Sequence, residues 1–437
     1  MSYYAIITKV KNIHNHSNAD RLNLGICFGN QVVIGKDITE NDLGIYFPTD
    51  GQLSQEYCDA NKLQGYTDEK TGEVIRGYFD QKRRVRTQKF RGEKSDGFWM
   101  PISSLAFTKY NLSELKEGDQ IVALNGINIC NKYITNVTRS KQSTNKSKSK
   151  TKKSFIMFHE HSDTEQLAYN IDKIKKGSVL YFTEKVHGTS GRTGYIKNIE
   201  YPSKIKNKIN RIFNINIFKN KEKWEYITGT RRVILDDFND SAKIGFYGSN
   251  DFRKIYHDKF INTLKKGETI YYEIVGWVNK DLTVMGIVDN TKIKDKEFIK
   301  RYGNKTIFKY GCKEGESDIW VYRITMSNED GEEVDYSWNM VKERCNQLGI
   351  KHVPEVHIPI VYDGIIENLK DLCEELCDGP STIDPSHIRE GVVVRVDYNN
   401  HWKAYKHKNF NFKVLEGIIK DSETIDIEEV QDVNAGN

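Results

Sequence analysis

A lysine attacks phosphorus only when its amine is neutral, so a nucleophilic lysine must sit where burial or neighbouring positive charge lowers its pKa. Lys185 has such a setting: it follows the apolar run Val179-Leu180-Tyr181-Phe182 and precedes Val186-His187-Gly188-Thr189-Ser190, a strand end whose glycine leaves backbone free to approach a ligand. Glu390 leads the apolar run Gly391-Val392-Val393-Val394, and Glu273 lies inside Tyr271-Tyr272-Glu273-Ile274-Val275. A carboxylate in an apolar strand needs a cation or a hydrogen-bond partner, and two of them can hold a hydrated Mg²⁺ or a nucleotide ribose. Lys406 and Lys408 stand two apart in a strand-like segment, so both ammonium groups point to one side of a sheet. Like charges so placed call for an anion between them, and a triphosphate answers. Nucleophile, metal ligand and phosphate clamp together describe an enzyme that attaches a nucleotide to its own lysine.

Two further positions fit that chemistry. Tyr322, in Trp320-Val321-Tyr322-Arg323-Ile324, offers a flat face for a purine, and Arg231 beside Arg232 offers a phosphate contact. Each position also has an ordinary structural explanation. A lysine beside a turn, strand glutamates paired with basic neighbours, lysines guarding an edge strand and aromatics in a core are all common. The combination in one chain order carries the inference, not any single member.

The elements that must position these residues fall into two parts. The first hundred or so residues carry short strand patterns, including residues 4–10, 22–28, 31–35, 44–48 and 97–102, with Gly29-Asn30 placed to turn a hairpin. Many strands, glycine turns and few helices predict a small barrel of the OB type over residues 1–130. Residues 138–154 contain no apolar side chain and seven lysines or arginines, which predicts a flexible basic linker within residues 131–154. From Phe155 strands alternate with helices, Asn339 to Leu348 and Glu367 to Cys377 among them, so residues 155–437 form a catalytic domain and the whole chain is of the α+β class. Tyr201 to Trp224 reads as an inserted basic loop.

Chain length of 437 residues supports more than one domain, and 38% hydrophobic with 29% charged residues describes a soluble protein with packed cores. No apolar run reaches bilayer length and the N-terminal residues lack a signal-peptide pattern, so the expected setting is intracellular and cytoplasmic, or the host cytoplasm for a virus, with no membrane contact. Seven scattered cysteines without a CxxC pair argue against a disulfide framework and against a structural zinc site. The net charge of +5 is modest, but its basic residues are clumped, and clumps attract phosphates.

In order and spacing, the segments around Lys185, Arg231, Glu273, Tyr322, Glu390 and Lys406 resemble motifs I, Ia, III, IIIa, IV and V of the covalent nucleotidyltransferases, specifically the ATP-dependent RNA ligases. Asn18 to Leu22 and Arg84 to Gly92 resemble the OB domain of the RNA ligase group that places this domain first. The resemblance implies an adenylyltransferase domain of antiparallel sheets and helices (ATP-grasp-like). It makes Lys185 the adenylated nucleophile, with Glu184, Val186 and Gly188 around the nucleotide and Arg231 on phosphate. Glu273 and Glu390 would contact Mg²⁺ or Mn²⁺, Glu273 also the ribose; Tyr322 would stack on adenine, and Lys406 with Lys408 would grip the phosphates. The barrel cluster Arg83, Arg84, Arg86, Lys89 and Arg91 would bind RNA.

The implied activity is the joining of a 3′-OH to a 5′-phosphate by a monomer, at nicks in RNA-containing duplex, with ATP consumed through lysyl-AMP and RNA-adenylate. Where many relatives carry aspartate two residues after the lysine, this chain has His187, as in one RNA ligase branch. DNA ligases and GTP-dependent capping enzymes are the enzyme alternatives. They place an OB domain after motif V, whereas about twenty-five residues follow Phe412 here. A non-catalytic nucleic-acid-binding module is the alternative from another class, against which the retained Lys185, Glu390, Lys406 and Lys408 stand.

Overall fold

The computed structural model describes residues 3–67, 74–75, 77–135, 155–200, 212, 221–235, 237–239, 247–293 and 295–421. The expected basic linker over 138–154 and most of the expected 201–224 insertion lie outside these residues, although Lys221–Gly229, which includes Trp224, is a strand. The chain forms two compact units, and both are mixed α+β with mainly antiparallel sheets. Among the described residues no helix is long and apolar enough to cross a membrane.

The first unit holds residues up to 136 together with the helix Phe410–Asp421. A four-stranded antiparallel sheet runs in the order Phe98–Pro101, Leu43–Phe47, Ala5–Lys9, Gln120–Ile121. A three-stranded meander is built from Lys11–Asn15, Leu22–Cys27 and Asn30–Gly35. Its hairpin turns at Phe28-Gly29, one residue before the expected Gly29-Asn30, because Cys27 pairs with Asn30 and the two loop residues take φ of 51° and 80°. Two positive φ values in a two-residue loop match the right-handed strand twist. Ile7, Ile45, Phe47, Tyr57, Val85, Phe98 and Leu105 fill the core. Among the described residues the ladders close no barrel.

The C-terminal helix Phe410–Asp421 packs with this unit, whereas the sequence pattern grouped it with residues 155–437. The reason is specific: Arg84 Nη1 donates to the Gly417 carbonyl at 3.0 Å, Lys413 pairs with Asp96, and Lys94 lies 5.0 Å from the centre of the Phe410 ring.

The second unit contains two sheets. A six-stranded antiparallel sheet runs Ile234–Leu235, Lys221–Gly229, Thr189–Glu200, Glu268–Gly276, Ser317–Ser327, Glu333–Asp335. A five-stranded sheet runs Glu165–Gln166, Trp402–Lys408, Gly391–Asp397, Val179–Glu184, Glu355–Val361, with only its first pair parallel. Side-chain alternation splits this sheet cleanly. Leu180, Phe182, Val392, Val394, Val396 and Tyr405 turn to one side and pack with Leu369, Cys373 and Cys377 of the helix Ile366–Cys377. Thr183, Val393, Arg395 and Lys406 take the opposite parity and line a cavity. The other expected helix spans Trp338–Leu348; Ser337 accepts from the Met340 N–H at its start, and Gly349 ends it in the left-handed conformation.

Candidate active site

Lys185 sits one residue beyond the strand Val179–Glu184, where the chain leaves the five-stranded sheet to enter the six-stranded one at Thr189. The crossing is pinned by backbone bonds: the Glu184 N–H donates to Pro354 O and the Lys185 N–H to Gly391 O, both at 2.9 Å. Gly188 is required by the protein's own backbone here. A Cβ at this position would lie 2.3 Å from the Ile274 carbonyl oxygen and 2.9 Å from Glu273 Cγ, so strand packing by itself demands glycine.

The lysine ammonium lies 2.7 Å from Glu390 Oε1, and the Lys408 ammonium lies 3.1 Å from that same oxygen. His187 Nδ1 stands 3.5 Å from Oε2. Glu390 is wholly buried. Burial alone pushes its carboxyl upward, but Lys185, Lys408 and His187 together hold it well below the usual carboxylate range. One buried carboxylate thus organises Lys185 and half of the lysine pair. His187 is itself fixed, its N–H donating 2.7 Å to the Tyr310 hydroxyl and its ring edge-on to Phe308 at 4.8 Å.

Around Lys185 the cavity is lined by Glu184, Val186, Glu273, Tyr322, Arg231 and Lys406, which the sequence had singled out. Glu273 lies opposite Ser190 in the ladder, and the serine hydroxyl donates to its Oε2 at 3.2 Å. The Glu184 carboxylate accepts from the Thr382 N–H at 2.8 Å and from the Thr382 hydroxyl, so that oxygen anchors Thr382. Arg231 pairs with Asp163, and its carbonyl accepts from Arg192 at 2.7 Å. Lys406 and Lys408 divide the work expected of the pair: Lys406 lines the cavity, and Lys408 reaches Glu390.

Tyr322 owes its aim to a bulge. Arg323 pairs with Tyr271 and Val321 with Tyr272, so Tyr322 is the extra residue of its strand. Such a residue is free to turn away from the ladder's alternation. Its hydroxyl lies 3.1 Å from His161 Nδ1, and the rings meet edge-on at 5.3 Å. Burial, with Arg231 and Arg323 nearby, pushes the imidazole down to about 3, so His161 is neutral at pH 7. Burial and Glu273 keep the Tyr322 phenol protonated well above its ordinary range.

Sequence reasoning missed part of the wall. Arg395 is buried, donates to Asp397 at 2.6 Å and to the carbonyls of Tyr322 and Tyr336 at 3.1 and 2.6 Å, and lies 4.5 Å from the Trp402 ring centre. An arginine of opposite parity to Val392, Val394 and Val396 was the available signal. His161, Asp163 and Trp338 carried none, since no local pattern links them to Lys185.

The basic cluster of the first unit divides as well. Arg84 is buried and held by Gly417 O and, at 3.2 Å, by Asp50, with its guanidinium 5.2 Å from the Tyr133 ring centre. It therefore secures the fold and is not presented to a phosphate backbone, contrary to expectation. Arg83 donates to Leu53 O at 3.0 Å and Gln55 Oε1 at 2.7 Å, and Arg86 pairs with Asp80. Lys89 and Arg91 are exposed on the hairpin Thr87–Phe90/Glu93–Asp96, with Arg91 at its tip.

A family model described as RNA ligase matches residues 178–415, more than half of the chain, a span that includes Lys185, Arg231, Glu273, Tyr322, Glu390, Lys406 and Lys408. The chain belongs to the RNA ligase family. Solved structures agree in fold. A Naegleria gruberi RNA ligase mutant with AMP and Mn superposes with a TM-score of 0.57 at 17% identity, covering 94% of this chain and 98% of that one. A second mutant of that ligase, with ATP and Mn, gives 0.56 at 16% identity and the same coverages. The same ligase with PPi gives 0.56 at 17%, covering 93% and 97%. No curated protein sequence matches this RNA ligase family member.

Proposed function

We propose that this protein is an ATP-dependent RNA ligase, a cytoplasmic monomer that seals 3′-OH and 5′-phosphate ends at nicks in RNA-containing duplex. The observation that carries the reading is the buried Glu390 held between the Lys185 and Lys408 ammonium groups at the wall of a cavity that Tyr322 and Lys406 also line. In the first step the Lys185 ammonium releases its proton to solvent and the neutral amine attacks the α-phosphorus of ATP; the bond to the bridging oxygen breaks and pyrophosphate leaves. The RNA 5′-phosphate then takes AMP from Lys185, restoring the amine. Last, the 3′-OH attacks that phosphate and AMP departs. The solved relatives of this fold with AMP, ATP and PPi support the nucleotide assignment.

Glu273 and Glu390 suit a hard divalent cation, since both are buried carboxylates and Glu390 already draws cations to itself. They would hold Mg²⁺ or Mn²⁺, whose charge, when bound, offsets that of the phosphates. When Lys185 carries AMP its nitrogen is no longer an ammonium, so Glu390 loses one of its two counter-charges and becomes the stronger cation ligand. Incubation of the full-length protein with α-labelled ATP and Mg²⁺ or Mn²⁺, followed by denaturing electrophoresis, tests the reading. A labelled band is expected, and its absence under both metals would overturn the proposal.

Tyr322 is assigned to adenine, with His161 holding its hydroxyl. Tyr322→Phe keeps the ring and Tyr322→Leu keeps only apolar contact. The leucine variant should raise the KM for ATP in self-adenylation about fivefold, the equivalent of about 1 kcal/mol of stacking, with the phenylalanine variant in between. Equal KM values for leucine and parent proteins would remove Tyr322 from the nucleotide site.

The first unit is assigned as an OB-type module that engages RNA through Lys89 and Arg91, with Arg83 and Arg86 flanking. Deleting residues 1–130 is a poor test, because the helix Phe410–Asp421 belongs to that unit. The substitutions Lys89→Ala and Arg91→Ala in the intact chain are cleaner. Together they should leave lysine adenylation unchanged and weaken nick sealing. The slope of log affinity for nicked RNA duplex on log salt should also fall by about 1 per phosphate no longer neutralised. Sealing and salt dependence equal to the parent's would dissociate this hairpin from RNA.

A further inference from the structure

Behind the strand that carries Lys406 and Lys408 lies a second cluster. Alternation turns His407 to the face opposite those lysines, toward the helix Ile366–Cys377. There Glu374 and Cys377, three apart on one helical face, approach it: His407 Nε2 lies 2.5 Å from Glu374 Oε2, and one ligand atom from each residue falls within 4.8 Å of the others. Cysteine spacing alone argued against zinc because it tests for paired cysteines; the fold brings together a mixed sulfur, nitrogen and oxygen set that no local motif announces.

We propose that Cys377, His407 and Glu374 form a Zn²⁺ site with a fourth position open to water, which ties the helix Ile366–Cys377 to the back of the strand bearing the lysine pair. Thiolate and imidazole favour a borderline-soft ion over Mg²⁺ or Ca²⁺. One thiolate and one carboxylate balance the ion's double charge, so a half-buried site stays neutral. Metal bonds of about 2.0–2.3 Å set tetrahedral ligand atoms roughly 3.3–3.8 Å apart, inside the observed span. Glu374, whose side chain is 61% exposed, has room to withdraw from His407 to that separation. The thiol now donates to Glu374 O at 3.2 Å and would lose its proton on binding. The site is also wired to the chemistry: Asn409, next to Lys408, donates from its side chain to Cys377 O at 3.1 Å and from its backbone to Glu390 O at 2.9 Å.

The test uses the full-length protein, stripped of metal and titrated with Co²⁺, then with Zn²⁺. A thiolate-to-cobalt charge-transfer band saturating at one equivalent, and displaced by Zn²⁺ but not by millimolar Mg²⁺, is expected. Cys377→Ser should abolish the band. Glu374→Gln, an exposed change that leaves the fold undisturbed, should weaken Co²⁺ binding at least about tenfold, as losing even outer-shell partners commonly does. No band at stoichiometric Co²⁺, a band undiminished in Cys377→Ser, or unchanged affinity in Glu374→Gln would each overturn the site.

Discussion

Lys185→Ala protein, given labelled ATP with Mg²⁺ or Mn²⁺, should carry no label through denaturing electrophoresis while still binding ATP. Only a side-chain amine can form the phosphoramidate at this position, and the lysine ammonium is the one that shares Glu390 with Lys408 at 2.7 Å. Tyr322, Arg231 and Lys406, which also line the cavity, are unaltered by the substitution. The expected loss is complete rather than graded, because a bond-forming atom is missing. Nick sealing from ATP should vanish with it. Supplied with RNA already adenylated at its 5′ end, the variant should regain sealing, since the last step needs no free lysine. A parental level of label in the alanine protein would place the nucleophile elsewhere.

The second large effect is expected at Glu390. Replacing it with alanine leaves two ammonium groups facing one another in a buried place, and with glutamine it keeps the shape but removes the charge. Both variants should lose lysine adenylation by about a hundredfold or more, the usual scale for deleting one preorganised electrostatic contact. They should also be less stable near neutral pH, by about 3 kcal/mol for a buried ion pair broken on one side. The sign with pH follows from the carboxyl being held well below its ordinary range. Its contribution is complete above the unfolded carboxylate range and lost as pH falls through the folded value, so parent and glutamine variant should converge in stability in acid. Thermal unfolding at several pH values reads this directly; a constant gap down to the lowest pH would deny the depressed carboxyl, and parental adenylation in the glutamine variant would deny its role.

Much of this site was legible in the chain itself. Lys185, Glu273, Glu390, Lys406 and Lys408 stand out because strand patterns place charge where apolar neighbours make it costly, and alternation tells which residues share a face. The helices Trp338–Leu348 and Ile366–Cys377 were legible for the same local reason, periodicity. Local pattern and chain order therefore determined the class of fold and singled out Lys185, Lys406 and Lys408 as the candidates for nucleophile and phosphate grip.

Tertiary structure decided what local pattern cannot encode. Arg84 and Arg86 look alike in sequence, yet Arg84 is buried against Gly417, 333 residues away. Tyr322 meets His161 across 161 residues and only because a bulge at Tyr271/Tyr272 shifts the register. Gly188 proved necessary for its clearance from Ile274 O, a strand neighbour far along the chain. Cys377 and His407 became neighbours through the packing of a helix on a sheet. In each case the outcome depends on strand register and on which face of one element meets another. A one-residue slip in register would reverse every side chain involved, so these contacts are properties of the assembled sheets, while the spacing along each strand belongs to the sequence.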